Sequence, residues 1–195
     1  MTLDFLPEGE TPNIRDTVLQ HASLLTRERG LALLTLDSVA RASGLRTTDV
    51  RRHFWHRHDL VVGVFKALLD GLQERLADAA ARDPLAHGRA GRAYLTLVTA
   101  PGTSQDDIRL LTAFTVAMTH DRSISVIWHA WLSAQFDGIA DPIDPNTLEL
   151  ICLAIDGLRL QDATQGNQAG LRQTVLQRLT GMTHPPCESL EDAAA

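Results

Sequence analysis

The sequence predicts an all-α protein with about nine helices. Apolar residues recur at intervals of three and four along most of the chain, which is the period of an amphipathic helix. No stretch alternates apolar and polar residues with the period of two that a strand requires, and there is no repeat or low-complexity segment. Pro and Gly separate the periodic segments, so each helix ends before the next begins.

The first predicted helix spans about residues 12–29. Its apolar positions step by four, four and three along one face, and they are Ile14, Val18, Ala22 and Leu25. Pro12 suits the first turn of such a helix, and Gly30 supplies its end.

The stretch from Leu36 to Leu60 predicts two short helices joined by a tight turn, followed by the start of a longer one. Thr35 is a natural N-cap, and Gly44 permits the left-handed turn. Val50 and Phe54 share one face of the second helix, and its other faces carry Thr47, Thr48, Asp49, Arg51, Arg52 and His53. A short helix with a thin apolar anchor and a basic exterior is typical of a helix that enters a DNA major groove.

The distribution of charge supports this prediction. The whole chain has a net charge of −6. Residues 12–58, however, hold eight arginines and four acids and therefore carry a positive charge. A basic module on an acidic body indicates local binding to a polyanion.

The remaining six helices are predicted from the same periodicity. They span about residues 57–81, 86–99, 104–119, 122–138, 144–163 and 168–182. Breaks are predicted at Pro101-Gly102, Asp141-Pro142 and Gly166. We expect a helix-turn-helix domain of residues 12–58, a second helical domain of residues 59–182, and flexible tails of residues 1–11 and 183–195.

Several residues of the first third match the pattern of one DNA-binding family. With the family's spacing kept over residues 14–65, they are Glu28-Arg29-Gly30, Thr35-Leu36, Val39-Ala40, Ser43-Gly44-Leu45, His53-Phe54, Arg57 and Leu60-Val61. This segment resembles the DNA-binding domain of TetR-type transcriptional regulators. The stretch Ala154–Leu158 is similar to one often found on that family's penultimate helix. The resemblance implies a C-terminal domain that binds a small molecule and forms a homodimer.

Three positions depart from the family's pattern. Arg51 stands where the family usually has Tyr, and Arg46 stands where it usually has a capping Ser, so we expect the cap to shift to Thr47. Asp49 stands where a small or hydroxyl residue is common. A carboxylate near the groove repels phosphate but can accept a hydrogen bond from a cytosine amino group. These departures leave the operator sequence open.

The resemblance also implies which residues meet DNA. Thr35, His53 and Arg57 are expected to contact phosphates. Residues expected to reach base edges are Arg46, Thr47, Thr48, Asp49 and Arg52, while Arg51 suits either role. The alternative is that these side chains form only a solvated helix face.

The central helices carry a concentration of aromatic residues and Met. The resemblance implies that an apolar ligand cavity is lined by Tyr94, Phe114, Met118, Trp128, Trp131 and Phe136. The alternative is that these residues simply form the core, because apolar stripes at helical spacing are usually core. The chemical identity of the ligand is not encoded in this pattern.

The helix predicted over residues 144–163 is apolar on two sides. One stripe contains Leu148, Ile151, Ile155 and Leu158, and the other contains Leu150, Leu153, Ala154 and Gly157. A helix with two apolar faces is either central in its own subunit or shared with a partner. Together with the last helix it predicts a homodimer interface within residues 144–182.

Other classes of function find no support in the residues. No catalytic motif or phosphate-binding loop is present, so neither an enzyme nor a cofactor is expected. His53, His56 and His58 lack the spacing and companion ligands of a metal site. The acidic N-terminus, two distant cysteines and the absence of a run of about 18 apolar residues predict a cytoplasmic protein without a membrane span.

The sequence therefore predicts a ligand-responsive transcriptional regulator. We expect a repressor that binds a palindromic operator in double-stranded DNA as a homodimer and is released by a small molecule. The alternative is an all-helical small-molecule binding protein whose helix-turn-helix no longer binds DNA. Selective DNA binding distinguishes the two.

Overall fold

The computed structural model describes residues 13–99, 105–165 and 169–185. All regular secondary structure within these ranges is helical, which confirms the predicted all-α class. The α-helices of the described residues are α1 Ile14–Arg29, α2 Leu36–Ser43, α3 Thr47–His53, α4 Arg57–Arg82, α5 Arg89–Thr99, α6 Gln105–Met118, α7 Arg122–Asp137, α8 Pro145–Gln165 and α9 Ala169–Met182. A short 3-10 helix, Leu31–Leu33, which the periodicity did not predict, joins α1 to α2.

Some sequence predictions fall on residues outside the described ones. These are the N-terminal tail, Pro12, the breaks at Pro101-Gly102 and Gly166, and the C-terminal residues from 186 onward. The predicted C-terminal tail begins at Thr183, which the structure does describe. Thr183 is completely buried rather than solvated.

The chain divides into two compact units, the first ending at residue 64 and the second beginning at residue 65. In the N-terminal unit α1 packs against α2 and α3. The core of this unit contains Val18, Leu19, Ala22, Leu34, Leu36, Val39, Ala40, Val50, Phe54, Leu60, Val61 and Val64. The inward face of α1 is rotated slightly from the predicted one, since Leu19 is buried whereas Ile14 is 42% exposed.

The start and end of α2 follow the local chemistry of the sequence. Thr35 Oγ1 accepts a hydrogen bond from Ser38 N at 3.0 Å, and Ser38 Oγ accepts one from Thr35 N at 2.9 Å. This reciprocal capping box satisfies backbone N–H groups that have no partner inside the helix. Gly44 has a φ of 70°, so the left-handed turn predicted between α2 and α3 is confirmed.

In the C-terminal unit α8 packs against α5, α6 and α9, and α6 also packs against α7. Large side chains that are fully buried in this unit are Phe65, Leu72, Leu76, Tyr94, Leu110, Phe114, Ile124, Trp128, Ile151 and Ile155. None of the helices in the described ranges combines the length and the apolarity that a membrane crossing needs.

Hydrogen bonds of Arg92 connect α5 to the C-terminal end of α4 and to the residue that follows α9. The Arg92 guanidinium donates to both carboxylate oxygens of Asp83, at 2.7 and 3.1 Å. It also donates to backbone carbonyl oxygens, at 2.8, 2.8 and 2.9 Å respectively for Leu85, His87 and Thr183. Because Arg92 and Asp83 are only 13% and 16% exposed, this pair is shielded from water.

The backbone comes unusually close at the start of α5. Gly88 has a φ of +74°, and a Cβ there would lie 1.8 Å from the Thr183 carbonyl oxygen, so no other residue fits. The Asp141 carboxylate accepts from Gly88 N at 2.6 Å and from Ala90 N at 2.8 Å. Asp141 therefore caps the N-terminal end of α5 from a distant part of the sequence.

Candidate DNA interface and ligand pocket

A thin apolar anchor holds α3 in the N-terminal unit. Val50 is fully buried, and Phe54 at the C-cap position is 3% exposed. The Arg15 guanidinium lies 5.6 Å from the centre of the Phe54 ring. On α4, a Cβ at Gly63 would come within 2.9 Å of the same ring, so glycine allows this close packing. The predicted anchor is therefore present.

The first turn of α3 differs from the expectation that Thr47 serves as the cap. Arg46 occupies the N-cap position without a side-chain hydrogen bond to the helix backbone, and Thr47 is already helical. Thr47 Oγ1 donates instead to Asp37 Oδ1 on α2, at 2.9 Å. The hydroxyl thus links the two helices of the motif.

Most of the predicted base-reading face is open to solvent. The side chains of Thr48, Arg51, Arg52 and His53 are exposed along α3, and so is Arg46 at its start. An exposed set of this composition supplies cationic donors for phosphate and forked donors for guanine.

Asp49 is paired with arginine rather than left open. Its Oδ2 accepts from Arg46 Nε at 2.9 Å and its Oδ1 accepts from Arg46 Nη2 at 3.3 Å. Arg52 Nη1 lies 3.7 Å from Oδ1. The hydrogen bond from Arg46 holds the pKa of the Asp49 carboxyl below its usual value, so Asp49 is a carboxylate at neutral pH.

Two of the predicted phosphate-binding residues also have local structural roles. Thr35 uses its hydroxyl in the capping box of α2. Arg57 Nε donates to the Leu34 carbonyl oxygen at 2.7 Å, and Arg57 Nη2 donates to the Leu31 carbonyl oxygen. Arg57 therefore fixes the connection that precedes α2.

One exposed residue near this face was missed by the sequence reasoning. Trp55, between α3 and α4, is 78% exposed, which is the largest exposure among the large apolar residues of the described chain. Its position next to the anchoring Phe54 was visible in the sequence. The spacing of Val50 and Phe54 placed Phe54 on the inward face, and it could also have indicated that the next residue, Trp55, points outward.

Five of the six residues predicted to bind the ligand, all except Met118, make ring contacts in the C-terminal unit. Phe65 lies 4.5 Å from Phe114 and 6.4 Å from Trp128, measured between ring centres. Trp128 stacks on Trp131 at 5.4 Å. Tyr94, by contrast, meets Phe136 edge-on at 5.9 Å. Tyr94, Phe114 and Trp128 are completely buried, whereas partial exposure is found for Met118, Trp131 and Phe136.

A buried arginine joins these rings and was not singled out from the sequence. Arg159 is 6% exposed, and its guanidinium carbon lies 5.7 Å from the centre of the Tyr94 ring and 5.3 Å from that of Trp128. Its Nη1 donates to Asp156 Oδ1 at 3.1 Å. Burial raises the pKa of Asp156, and Arg159 opposes that rise. A signal was available, because Arg159 lies four residues after Ile155 and therefore on the same, largely apolar, face of α8.

A cavity of about 510 Å³ opens beside this group, mainly between α7 and α8. Its apolar wall includes Leu132, Phe136, Ile143, Leu148 and Cys152, and its acidic groups are Asp137, Asp141, Glu149 and Asp156. Burial raises the pKa of the Cys152 thiol to about 12, so it is a neutral wall residue. Of the six residues predicted to bind the ligand, Phe136 lines this cavity and the other five do not.

Comparison with known proteins finds one family model and several solved structures that are similar to this chain. Residues 88–184 match the family model described as the tetracyclin repressor-like C-terminal domain. A transcriptional regulator from Streptomyces coelicolor A3(2) has 20% identity and a TM-score of 0.70, with 89% of this chain and 100% of that chain covered. The sequence matches no curated protein.

Two further solved structures share the fold. The multidrug binding protein EbrR, solved in complex with ethidium, has 22% identity and a TM-score of 0.67, with 86% of this chain and 98% of that chain covered. A member of the TetR family from Streptomyces coelicolor A3 has 22% identity and a TM-score of 0.64, with the same coverage of 86% and 98%. Residues 88–184 are thus similar to the tetracyclin repressor-like C-terminal domain family, and the chain has the fold of a solved member of the TetR family.

Proposed function

We propose that this protein is a ligand-responsive repressor that binds a palindromic operator as a homodimer. The observation that carries the proposal is α3, whose buried anchor of Val50 and Phe54 leaves an exposed face of Arg46, Arg51 and Arg52. Arginine is suited to this role because its planar fork matches both phosphate and the major-groove edge of guanine. Exposed Thr48 and His53 add neutral hydrogen-bonding groups to the same face.

The dimer is proposed to form through α8 and α9. Leu150, Leu153 and Leu160 are 49%, 59% and 39% exposed, and together with Gly157 they follow one face of α8 at steps of three and four. On α9, Leu171 is 48% exposed. The exposed apolar stripe of α8 favours burial against a second copy, because exposed apolar surface is costly to leave in water. A two-fold dimer then presents two α3 helices to the two half-sites of a palindrome.

The cavity between α7 and α8 is proposed to hold the ligand. Phe136 offers an aromatic surface, and Asp137, Glu149 and Asp156 place carboxyl groups around it. This combination favours a planar organic cation. Ligand binding would favour a conformer with lower operator affinity, and the difference in ligand affinity between the two conformers sets the size of the response.

Ethidium serves as a probe of this cavity, since its fluorescence reports binding without any DNA present. We expect saturable binding to the wild-type protein. Phe136→Ala and Glu149→Gln should each weaken it several-fold, by roughly 1 kcal/mol, because each removes one attractive contact. Unchanged ethidium binding in both variants would contradict the placement of the ligand.

DNA binding is tested by a gel shift against the region upstream of the protein's own gene. Arg51→Ala/Arg52→Ala should abolish a selective shift, because two exposed cations are removed from α3. The matched control is Arg109→Ala/Arg122→Ala, which removes the same charge from exposed positions of the C-terminal unit. Equal affinity of the two double variants would contradict the assignment of α3. Ethidium binding without selective DNA binding would instead favour the small-molecule binding protein.

A further inference from the structure

The carboxylate of Asp49 lies beneath two arginines at the start of α3. The Asp49 side chain is 16% exposed, whereas those of Arg46 and Arg52 are 80% and 76% exposed. Arg46 places Nε and Nη2 on separate oxygens of the carboxylate, at 2.9 and 3.3 Å. Arg52 Nη1 approaches one of the same oxygens at 3.7 Å. The exposed surface at the start of α3 is therefore formed by the guanidinium groups of Arg46 and Arg52, and the carboxylate of Asp49 lies beneath them.

This arrangement has two opposite effects on DNA binding. A guanidinium carries five N–H donors in a fixed fork, so Arg46 keeps three donors after both bonds to Asp49. An arginine that is already oriented loses less conformational freedom when it binds a base edge. The same carboxylate removes one unit of positive charge from the interface, which weakens attraction to the phosphates of any sequence.

We propose that Asp49 is a positioning residue for sequence recognition. It orients Arg46 and Arg52 for base contacts, which raises the ratio of operator to non-operator affinity, while its charge lowers the affinity for DNA of any sequence. This inference rests on the DNA-binding function proposed above. It assigns the base contacts to the arginines rather than to a direct contact of Asp49 with cytosine, because the Asp49 side chain is only 16% exposed and both of its oxygens accept from Arg46.

The test uses Asp49→Asn in the full chain, which retains the side-chain shape but removes the charge and one acceptor. Glu28→Gln is the matched control, because it removes one exposed acid from the last turn of α1. Binding is followed by fluorescence anisotropy over a range of salt concentrations. One duplex is selected from genomic DNA by the wild-type protein, and the other is an unrelated duplex of equal length.

Asp49→Asn is expected to bind the unrelated duplex more tightly. The slope of its log affinity against log salt should steepen by about one per protomer, as one additional phosphate contact would produce. The ratio of operator to unrelated affinity should fall by about tenfold per half-site, the size of one lost arginine–guanine contact. Glu28→Gln should leave this ratio unchanged. Asp49→Glu should lower the ratio without steepening the slope, since it keeps the charge and alters the geometry.

An Arg46→Ala/Arg52→Ala background separates positioning from direct readout. Adding Asp49→Asn to it should change the ratio by less than about twofold, because the residues through which Asp49 acts are gone. If Asp49→Asn still abolishes the preference for one particular base pair in this background, Asp49 contacts that base directly, and the inference is overturned. Tighter binding of Asp49→Asn to both duplexes with an unchanged ratio would overturn it as well.

Different results would contradict the DNA-binding function and the role of Asp49. A wild-type protein that binds both duplexes equally contradicts the proposed function and this inference together. Wild-type selectivity that survives Asp49→Asn and Asp49→Glu unchanged contradicts the inference alone. Thermal melting followed by circular dichroism shows whether each variant is still folded. If Asp49→Asn does not fold, Asp49→Glu is used for the test instead.

Discussion

Replacing Arg92 with Met tests how the C-terminal unit is held together. The side chain of Arg92 makes five hydrogen bonds, of which two reach the Asp83 carboxylate and three reach backbone carbonyls. Met keeps much of the length but donates nothing, so a shielded carboxylate loses its charged partner. Because the pair is only partly buried, removing Arg92 should cost about 2–3 kcal/mol, between the cost for a surface pair and that for a fully buried one. In a unit of this size, that corresponds to a fall in Tm of roughly 10 °C.

The pH dependence gives an independent check on the cause. Arg92 holds the pKa of the Asp83 carboxyl below its usual value. A lowered folded-state pKa contributes stability above the unfolded pKa of about 3.9, and this contribution is lost as the pH falls through the folded-state pKa. The difference in unfolding free energy between wild type and Arg92→Met should therefore narrow below about pH 4.

The assay is urea unfolding followed by tryptophan fluorescence, to which the buried Trp128 responds. Arg82→Met is the matched control, because its pair with Asp78 is exposed, at 79% and 68%. Such a surface pair contributes only about 0–1 kcal/mol. Equal stability of Arg92→Met and Arg82→Met at pH 7, or an effect of Arg92→Met that does not diminish in acid, would show that the pair of Arg92 and Asp83 does not stabilise this unit.

Three further substitutions follow from the same structure. Gly88→Ala should lower the unfolding free energy by at least about 2 kcal/mol, measured by urea unfolding, because its Cβ would collide with the Thr183 carbonyl oxygen; stability equal to wild type would refute the close approach. Thr35→Ala should lower the stability of the N-terminal unit by about 1 kcal/mol, because the α2 cap is lost. Amide hydrogen exchange measures this change, and unchanged exchange rates in α2 would contradict the capping box. Leu153→Glu should convert a dimer to a monomer in sedimentation, whereas Val126→Glu, at an equally exposed site on α7, should not; a dimer that persists in Leu153→Glu would rule out the α8 stripe.

Local chemistry made most of the fold predictable. Thr35 before an apolar helix and Gly44 after it predict a cap and a left-handed turn, and both are present. The end of α1 at Arg29 and the start of α4 at Arg57 also agree with the structure. These features depend on neighbours within one or two turns, so the residues that determine them are adjacent in the sequence.

The parts that could not be predicted depend on distant partners. Thr183 is buried because Arg92 and Gly88, far away in the sequence, meet it. Asp141 caps α5 from 53 and 51 residues away along the chain. Neither contact produces a periodic pattern in the sequence, because its two partners come together only in the tertiary structure.

In the candidate site too, some side-chain contacts could not be predicted from the sequence, even between neighbouring residues. The exposed basic face of α3 followed from the spacing of Val50 and Phe54. Whether Asp49 faces DNA or pairs with arginine did not follow, because both arrangements are compatible with the same helix. Five of the six aromatic and Met positions predicted for the ligand lie outside the wall of the cavity, since apolar spacing does not distinguish a packed core from a lined pocket.

The proposed function requires that the exposed face of α3 reads DNA. The decisive experiment is to select fragments of genomic DNA with the wild-type protein and with Arg51→Ala/Arg52→Ala in parallel. We expect the wild type to enrich a palindrome whose half-sites are about one or two helical turns apart, and the variant to lose that enrichment. Enrichment of the same palindrome by both proteins, or of no sequence by the wild type, would contradict the claim.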